Sequence, residues 1–154
     1  MHYTIGVISD THGLLRPEIF SIFAKVDLII HAGDIGRPEV LSDLEAVAPI
    51  KAVLGNVDSR YDFPRVKLAE TVDVMGRRIY VIHNRHQFTA NPASQKIDLV
   101  IFGHSHQPYH ERENGILYFN PGSAGPRRFS YPIAVGMITL TDESIEAKHI
   151  YLKD

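Results

Sequence analysis

Seven Asp, Asn and His side chains closely follow short apolar segments of the sequence. They are Asp10, His12, Asp34, Asn56, His83, His104 and His106. Carboxylate, amide and imidazole groups suit hard or borderline divalent ions, and the absence of cysteine excludes thiolate metal sites. Seven ligands are too many for one open catalytic ion, but they suit two ions that share a bridging carboxylate. The residue types therefore predict a site for two divalent metal ions.

Spacing within the segments supports this prediction. Asp10 and His12 are two residues apart, as are His104 and His106, so both side chains of each pair can point the same way in an extended or looped segment. Glycine, which permits unusual backbone angles and close approach to a ligand, precedes predicted ligands at Gly33, Gly55 and Gly103. A single Asp or His after a strand is more often a turn, capping or packed residue. The argument therefore depends on five segments that all end in the same way.

Apolar periodicity predicts the elements that position these ligands. In the first half we predict strands at residues 5–8, 28–30 and 52–54, and helices at residues 17–24 and 38–47. In the second half we predict strands at residues 66–74, 77–82, 99–102, 109–112, 116–119, 133–140 and 145–152, and a short helix at residues 91–96. Alternating strands and helices favour βαβ units with parallel strands. Ligand sites in such sheets lie at the carboxyl ends of strands, so the five strand ends would bring the ligands together.

Turn residues and composition limit the architecture. Met75-Gly76, Glu113-Asn114-Gly115 and residues 141–143 separate pairs of strands and predict hairpins. The length of 154 residues suits one α/β domain, residues 1–154, with helices outside a pair of mixed sheets. A net charge of −2 gives no strong nucleic-acid signal, and no apolar segment is long enough to span a membrane. Because the N-terminus also lacks signal-peptide features, we expect a soluble, cytoplasmic protein with no membrane partner.

Taken together, the motifs resemble those of the calcineurin-like metallophosphoesterases. The matching segments are Asp10-x-His12, Gly33-Asp34, Gly55-Asn56-x-Asp58, His83 and Gly103-His104-x-His106. The small size, with His31-Ala32-Gly33-Asp34 and Asn120-Pro121-Gly122-Ser123, resembles the compact, YfcE-like phosphodiesterase branch of that family. The resemblance implies a four-layer α/β/β/α sandwich with mixed sheets. It also implies a metal-dependent phosphodiesterase that acts on a small phosphodiester.

The resemblance further implies how the ligands divide between the ions. One ion would be held by Asp10, His12, Asp34 and His106. The other would be held by Asp34, Asn56, His83 and His104, which are also the expected catalytic residues, so that Asp34 bridges. A hydroxide bridging the two ions would attack phosphorus in line. Mn²⁺ is the expected ion, and Ni²⁺, Fe, Co²⁺ and Zn²⁺ are alternatives.

Two departures from the family pattern change the expectation. Val57 stands where the family commonly has a His that helps the leaving group to depart, so we expect better turnover of activated phosphodiesters than of alkyl monoesters. After His83 the family usually continues with Gly and another His, whereas this sequence has Asn84, Arg85 and His86. His83 stays the expected ligand, with His86 as its substitute; alternatively, His86 or Arg85 reaches the substrate phosphate.

Several other residues leave two interpretations open. His31 could orient a ligand, or it could be a packed residue at a strand end. Residues 120–123 could contact phosphate or simply form a turn. Arg127 and Arg128 could clamp a phosphate or form an exposed basic pair, and the aromatic residues that follow them could cover a base or a subunit contact.

Two rival functions and one question of assembly stay open. A retromer subunit shares the family's fold, is thought to have lost catalysis and works through protein contacts. Such a non-catalytic protein-binding scaffold should have lost several ligands, whereas all seven are present here. A phosphomonoesterase is disfavoured by Val57 and by the small size of the chain. A homo-oligomer could form through an exposed edge strand or the C-terminal hairpin.

Overall fold

The computed structural model describes residues 1–88 and 95–153, which contain ten strands and two α-helices. The strands are β1 (His2–Ile8), β2 (Leu28–His31), β3 (Ile50–Ala52), β4 (Ala69–Val74), β5 (Arg77–Ile82), β6 (Leu99–Ile101), β7 (Tyr109–Glu113), β8 (Ile116–Asn120), β9 (Ile133–Thr141) and β10 (Ile145–Leu152). The helices are α1 (Glu18–Ile22) and α2 (Pro38–Glu45). No helix among these residues has the length and apolar composition needed to cross a lipid bilayer.

The strands form two five-stranded mixed sheets, as predicted. The first sheet has the order β10-β9-β1-β2-β3, in which β1, β2 and β3 are parallel and β9 and β10 are antiparallel to their neighbours. The second has the order β4-β5-β6-β8-β7, in which β5, β6 and β8 are parallel. The parallel strands at the centre of each sheet end at the same edge of the molecule, where the predicted ligands lie.

Apolar side chains pack in three layers around the sheets. Between the sheets, residues such as Ile5, Leu99 and Phe119 are fully buried. On the outer face of the first sheet, the helices pack through residues such as Ile19 and Leu44. The two buried layers fix the sheets against each other and hold the strand ends in place.

A third apolar cluster covers the outer face of the second sheet. In the described ranges this face packs against a 3₁₀ turn, Arg85–Gln87, and Phe88 instead of a long helix. The predicted helix at residues 91–96 falls mainly on residues 91–94, which lie outside the described residues, and residues 95–96 form a turn. The α/β fold with two mixed sheets is confirmed, and the fourth layer of the sandwich consists, where it is described, of this short turn.

The first strand begins at His2, three residues before its predicted start, because residues 2–4 pair with β9. The strands predicted at residues 52–54 and 66–74 differ for one shared physical reason. Val53 forms an isolated parallel bridge with Lys67, and the N–H of Leu54 donates to the Lys67 carbonyl at 2.8 Å. Residues 66–68 therefore lie along the edge of the first sheet before the chain enters the second sheet at β4. The third strand accordingly ends at Ala52, and the strand predicted from residue 66 begins at Ala69.

Candidate metal centre

Loops at the carboxyl ends of five strands carry the seven predicted ligands. Backbone hydrogen bonds hold the first two loops together, since the N–H of Asp10 donates to the Gly33 carbonyl and that of His12 to the Asp34 carbonyl, each at 2.9 Å. A Cβ added to Gly103 would lie 2.8 Å from Asp10 Oδ2, so only glycine lets this loop approach so closely. The strand ends therefore converge as the sequence predicts.

Two carboxylates and three imidazoles form the centre of the site. Asp34 Oδ2 lies 3.5 Å from His12 Nε2 and 3.3 Å from His83 Nε2. Asp10 Oδ1 lies 3.4 Å from His106 Nε2 and 3.9 Å from His83 Nε2. Four of the five residues are buried and His12 is half-buried, so these groups are largely shielded from water.

The five residues make two groups that can each hold a divalent ion. One group is Asp10, His12 and His106, and the other is Asp10, Asp34 and His83; within each, the ligand atoms lie within 4.8 Å of one another. The prediction placed Asp34 alone between two ions. In the structure both carboxylates lie between the two sets of imidazoles, because Asp34 Oδ2 also lies close to His12.

Unpaired buried atoms show that this donor set fits metal ions. Among residues 1–88 and 95–153, four buried side-chain atoms have no hydrogen-bond partner, namely Asp10 Oδ1, His12 Nε2, His83 Nε2 and His106 Nδ1. A buried polar atom left unpaired costs roughly 1–3 kcal/mol, so four in one site need a compensating partner. Divalent cations bind carboxylate oxygen and imidazole nitrogen, and they would satisfy the first three of these atoms. His106 faces Asp10 through its other ring nitrogen, Nε2, which would bind the ion.

Hydrogen bonds to the protein leave one atom available on each of three central ligands, Asp10, Asp34 and His83. Asp10 Oδ2 accepts from Ser9 Oγ at 2.7 Å and from the N–H of His104 at 3.3 Å, which leaves Oδ1. Asp34 Oδ1 accepts from the N–H of Val57 at 3.1 Å, which leaves Oδ2. The His83 ring donates from Nδ1 to a carbonyl oxygen 2.7 Å away in its neutral form, so the lone pair of Nε2 points into the site.

Backbone conformation also distinguishes the predicted ligands. Nine residues other than glycine have positive φ in the described part of the chain, and five of them are predicted ligands with φ between 48° and 75°. These five are Asp10, His12, Asp34, His104 and His106. Strained backbone of this kind persists only where the surroundings hold it, and it clusters at functional sites. Both members of each i, i+2 pair thus have a left-handed, not an extended, backbone conformation.

The other predicted residues lie at the rim. His104 and Asn56 are exposed, and the His104 ring lies edge-on to the His83 ring with centroids 5.3 Å apart. His86 is exposed in the 3₁₀ turn, where its N–H donates to Asn84 Oδ1 at 3.0 Å. The structure therefore places His83 with the central ligands, whereas His86 and the predicted ligand His104 lie outside both groups of possible metal ligands.

Arg85 points to a different partner. Its guanidinium makes two hydrogen bonds to the Glu113 carboxylate, at 2.9 and 3.1 Å, and lies 4.1 Å from the centroid of the Tyr118 ring. Tyr109 adds a hydrogen bond to the same carboxylate at 2.9 Å. Arg85 thus ties the turn after His83 to the outer face of the second sheet instead of reaching toward the site.

His31 connects two of the ligand loops from a fully buried position. The N–H of Gly33 donates to His31 Nδ1 at 3.1 Å, so the ring is neutral with its proton on Nε2. That proton faces Thr11 Oγ1 at 3.0 Å, and the Thr11 hydroxyl donates to the Ile35 carbonyl at 2.8 Å. Of its two interpretations, the structure supports a residue that orients the loops bearing ligands.

The side chains of Asp58 and Asn120 also position the ligand loops, a role that the sequence does not indicate. The Asp58 carboxylate accepts three backbone N–H groups, from Ile35, Gly36 and Gly55, at 2.8–3.0 Å. It therefore fastens the loop after β2 to the loop after β3. Such shared acceptors cannot be located from sequence, because the donors lie on separate strands.

Asn120 performs the same task on the other sheet. It is fully buried, and its amide donates to the Gly103 carbonyl at 3.1 Å and to Ser105 Oγ at 3.2 Å, while its Oδ1 accepts from the N–H of Gly122 at 2.8 Å. The segment at 120–123 thus holds the loop that bears His104. The sequence predicts a phosphate contact or a turn at this segment, and the structure shows that its Asn120 side chain fastens a neighbouring loop.

Burial and neighbouring charges shift the pKa values of the central groups. Burial raises the pKa of Asp10 to about 6, against the opposing charge of His83. Burial also acts to raise the pKa of Asp34, but in the metal-free site the neighbouring His83, when it is protonated, outweighs burial and holds this pKa below its usual value. Burial lowers the pKa of His12, and it lowers the pKa of His106 to about 4. Both imidazoles are therefore neutral near pH 7, the form that binds metal ions.

Comparison with known proteins gives independent evidence of the family to which this chain is related. A family model described as the calcineurin-like phosphoesterase superfamily domain matches residues 3–143. A protein named "Probable metallophosphoesterase" from Methanothermobacter thermautotrophicus is 35% identical over 157 residues, covering 95% of this chain and 91% of its own. The phosphodiesterase YfcE of Escherichia coli is 30% identical over 173 residues, covering 91% of this chain and 94% of its own.

Structural comparison adds a likeness of fold. Vacuolar protein sorting 29 from Cryptosporidium parvum superimposes with a TM-score of 0.77 at 16% identity, and 99% of each chain is covered. At this identity the likeness shows a shared fold and nothing about activity.

Proposed function

Because the chain belongs to the calcineurin-like phosphoesterase superfamily, we propose that it is a phosphodiesterase that uses two divalent metal ions. The observation that carries the proposal is the pair of ligand groups built on Asp10, in which three buried ligand atoms, on Asp10, His12 and His83, lack a protein partner. The phosphodiesterase name of the E. coli relative supports the choice of reaction. Mn²⁺ is the proposed ion, because the donors are oxygen and nitrogen only.

The chain's own residues prepare the site for this chemistry. When bound, two divalent ions would supply a hydroxide near neutral pH and positive charge for the phosphoryl oxygens during in-line attack. Asp10 and Asp34 each keep one oxygen free for this purpose, and His83 keeps Nε2 free by donating from Nδ1. We propose that His104 and Asn56, exposed at the rim, complete the second ligand set.

Val57 supports a preference for diesters with good leaving groups. Its backbone N–H binds Asp34, and its side chain is 56% exposed beside the site. An isopropyl group cannot donate a proton or bind an oxyanion, so a poor leaving group would depart without acid catalysis from this position. We therefore propose that activated phosphodiesters are hydrolysed faster than alkyl monoesters.

The direct test compares bis(p-nitrophenyl) phosphate with p-nitrophenyl phosphate. Metal-free protein is assayed with each ester before and after addition of Mn²⁺, and Ni²⁺, Fe²⁺, Co²⁺ and Zn²⁺ are tried in parallel. We expect turnover that requires added metal and is faster for the diester. Faster monoester turnover would contradict the proposed substrate class, and no turnover with any of the five ions would contradict the proposed enzyme.

A matched pair of variants tests the ligand assignment. His83→Gln removes an imidazole from the centre, whereas His86→Gln removes one that lies three residues away and exposed. We expect the first variant to lose metal-dependent turnover and the second to retain it, with both unfolding cooperatively like the wild type. Loss of turnover in His86→Gln alone would show that the ligand assignment is wrong.

The rival scaffold function makes an opposite prediction in the same assay. A protein that acts only through contacts needs no metal and no turnover, and it gives no reason for buried donors without partners. The expected cytoplasmic location and the homo-oligomer stay predictions.

A further inference from the structure

The segment after β8 lies directly against the loop that bears Asp10. The N–H of Ala124 donates to the Ser9 carbonyl at 3.0 Å, and Ser123 Oγ donates to the Asp10 carbonyl at 3.2 Å. A Cβ added to Gly125 would collide with the Asp10 carbonyl oxygen, so the backbone of this segment is in close contact with the metal loop. The exposed residues that follow therefore start at the edge of the site.

A closed turn holds Arg128 in that position. The N–H of Tyr131 donates to the Arg128 carbonyl at 3.1 Å, which closes a four-residue turn. Phe129, within the turn, has a φ of 52°, and its ring contacts the Tyr131 ring edge-on with centroids 5.6 Å apart. The backbone of Arg128 is thus fixed while its side chain is exposed.

The charge of Arg128 acts on two of the central imidazoles. After burial, the Arg128 guanidinium is the next cause that lowers the pKa of His106, and it also lowers the pKa of His12. The two rings are stacked with centroids 5.5 Å apart. This effect agrees with the contacts of residues 123–125, which place the start of the Arg128 loop against the backbone of Asp10 and Thr11, next to His12. Bound divalent ions would repel a cation at this place, unless an anion lay between them.

We propose that Arg128 binds a non-bridging oxygen of the phosphodiester, on the side of the site formed by His12 and His106. The inference rests on the proposed function, because it names a substrate contact of that same site. A guanidinium presents paired N–H donors that match two oxygens of a phosphate, whereas an ammonium offers only a point charge. Arg128 would thus orient the diester for in-line attack.

Arg127 provides the matched control, because it carries the same charge on the same loop. We compare Arg128→Ala, Arg128→Lys and Arg127→Ala in the Mn²⁺-loaded protein, using the kinetics of bis(p-nitrophenyl) phosphate and calorimetric binding of inorganic phosphate. Charged hydrogen bonds of this kind predict a rise of about 10- to 100-fold in KM and in the phosphate Kd for Arg128→Ala. Arg128→Lys should recover part of the loss, and Arg127→Ala should stay within about twofold of the wild type.

Two further measurements separate this role from a structural one. The thermal midpoint of Arg128→Ala should match that of the wild type, since the side chain is exposed. Its Mn²⁺ affinity should not fall, because the substitution removes a positive charge beside the ions. Unchanged phosphate binding in Arg128→Ala, or an equal loss in Arg127→Ala, would overturn the proposal. If the wild type hydrolyses no diester, the proposed function fails, and the phosphate-binding measurements still decide the role of Arg128.

Discussion

Replacing His31 with Leu should weaken both the fold and the metal site. The fully buried ring accepts from Gly33 at 3.1 Å and donates to Thr11 at 3.0 Å, and Thr11 in turn binds Ile35. Leu fills a similar volume but can make neither hydrogen bond. The substitution would leave the Gly33 N–H without its acceptor and the Thr11 oxygen without its donor, while the Thr11 hydroxyl would still donate to Ile35.

The structure sets the size of the effect. Each buried hydrogen bond contributes roughly 0.5–1.5 kcal/mol, and each group left unsatisfied costs roughly 1–3 kcal/mol. Two such losses predict that His31→Leu lowers the free energy of unfolding by about 2–5 kcal/mol. Because the two loops carry Asp10 and Asp34, we also expect Mn²⁺ affinity to fall by about 10- to 100-fold.

Protonation of His31 makes the stability difference depend on pH, which gives a second test of this prediction. Burial lowers the pKa of His31 to about 3 from an unfolded value of 6.5. Its contribution is therefore fully present above pH 6.5 and is lost as pH falls, because the unfolded chain binds a proton that the folded protein excludes. Between pH 7.5 and 4.5 the stability difference between wild type and His31→Leu should shrink by about 2–3 kcal/mol.

Urea denaturation of the metal-free proteins at both pH values measures these differences. Comparing the two proteins at each pH isolates His31 from other titrating groups. His31→Asn, which can still accept from Gly33, and His31→Gln, which can still reach Thr11, should each lose less stability than His31→Leu. A loss below about 0.5 kcal/mol at pH 7.5, or the same pH dependence in both proteins, would refute the reasoning.

Three further predictions test other parts of the site. Asp34→Asn removes a central charge at nearly constant size, so diester turnover should fall by about 100-fold or more while circular dichroism stays unchanged; retained turnover would contradict the role of Asp34. Val57→His adds an acid beside the site and should raise the ratio of monoester to diester turnover by about 10-fold or more; an unchanged ratio would exclude this explanation. Gly103→Ala forces a Cβ against Ser9 and Asp10, so it should lower the free energy of unfolding, measured in urea, by about 1–3 kcal/mol. If the variant is as stable as the wild type, the loop can move to accept the Cβ.

Local chemistry made the hairpins and strand ends predictable. Asn114 and Gly115 have φ values of 54° and 81°, the conformation that an Asn-Gly pair favours between two paired strands. The apolar segments predict the central strands because those strands are buried between layers. Their parallel arrangement brings the carboxyl ends together, so the gathering of the ligands followed from strand order alone.

Features that depend on tertiary contacts could not be predicted. The left-handed conformations of Asp10 and His12 are held by hydrogen bonds to Gly33 and Asp34, which lie on a different loop. The place of Asp10 in both ligand groups depends on which of its oxygens Ser9 occupies, and the sequence carries no signal for that choice.

The central claim is that these loops hold two divalent ions close together. Calorimetric titration of metal-free protein with Mn²⁺, followed by electron paramagnetic resonance of the loaded protein, tests it most directly. The account predicts two Mn²⁺ per chain and an exchange-coupled spectrum, because ions that share a carboxylate lie about 3.5–4 Å apart. Binding of fewer than two ions, or two ions with independent spectra, would contradict it.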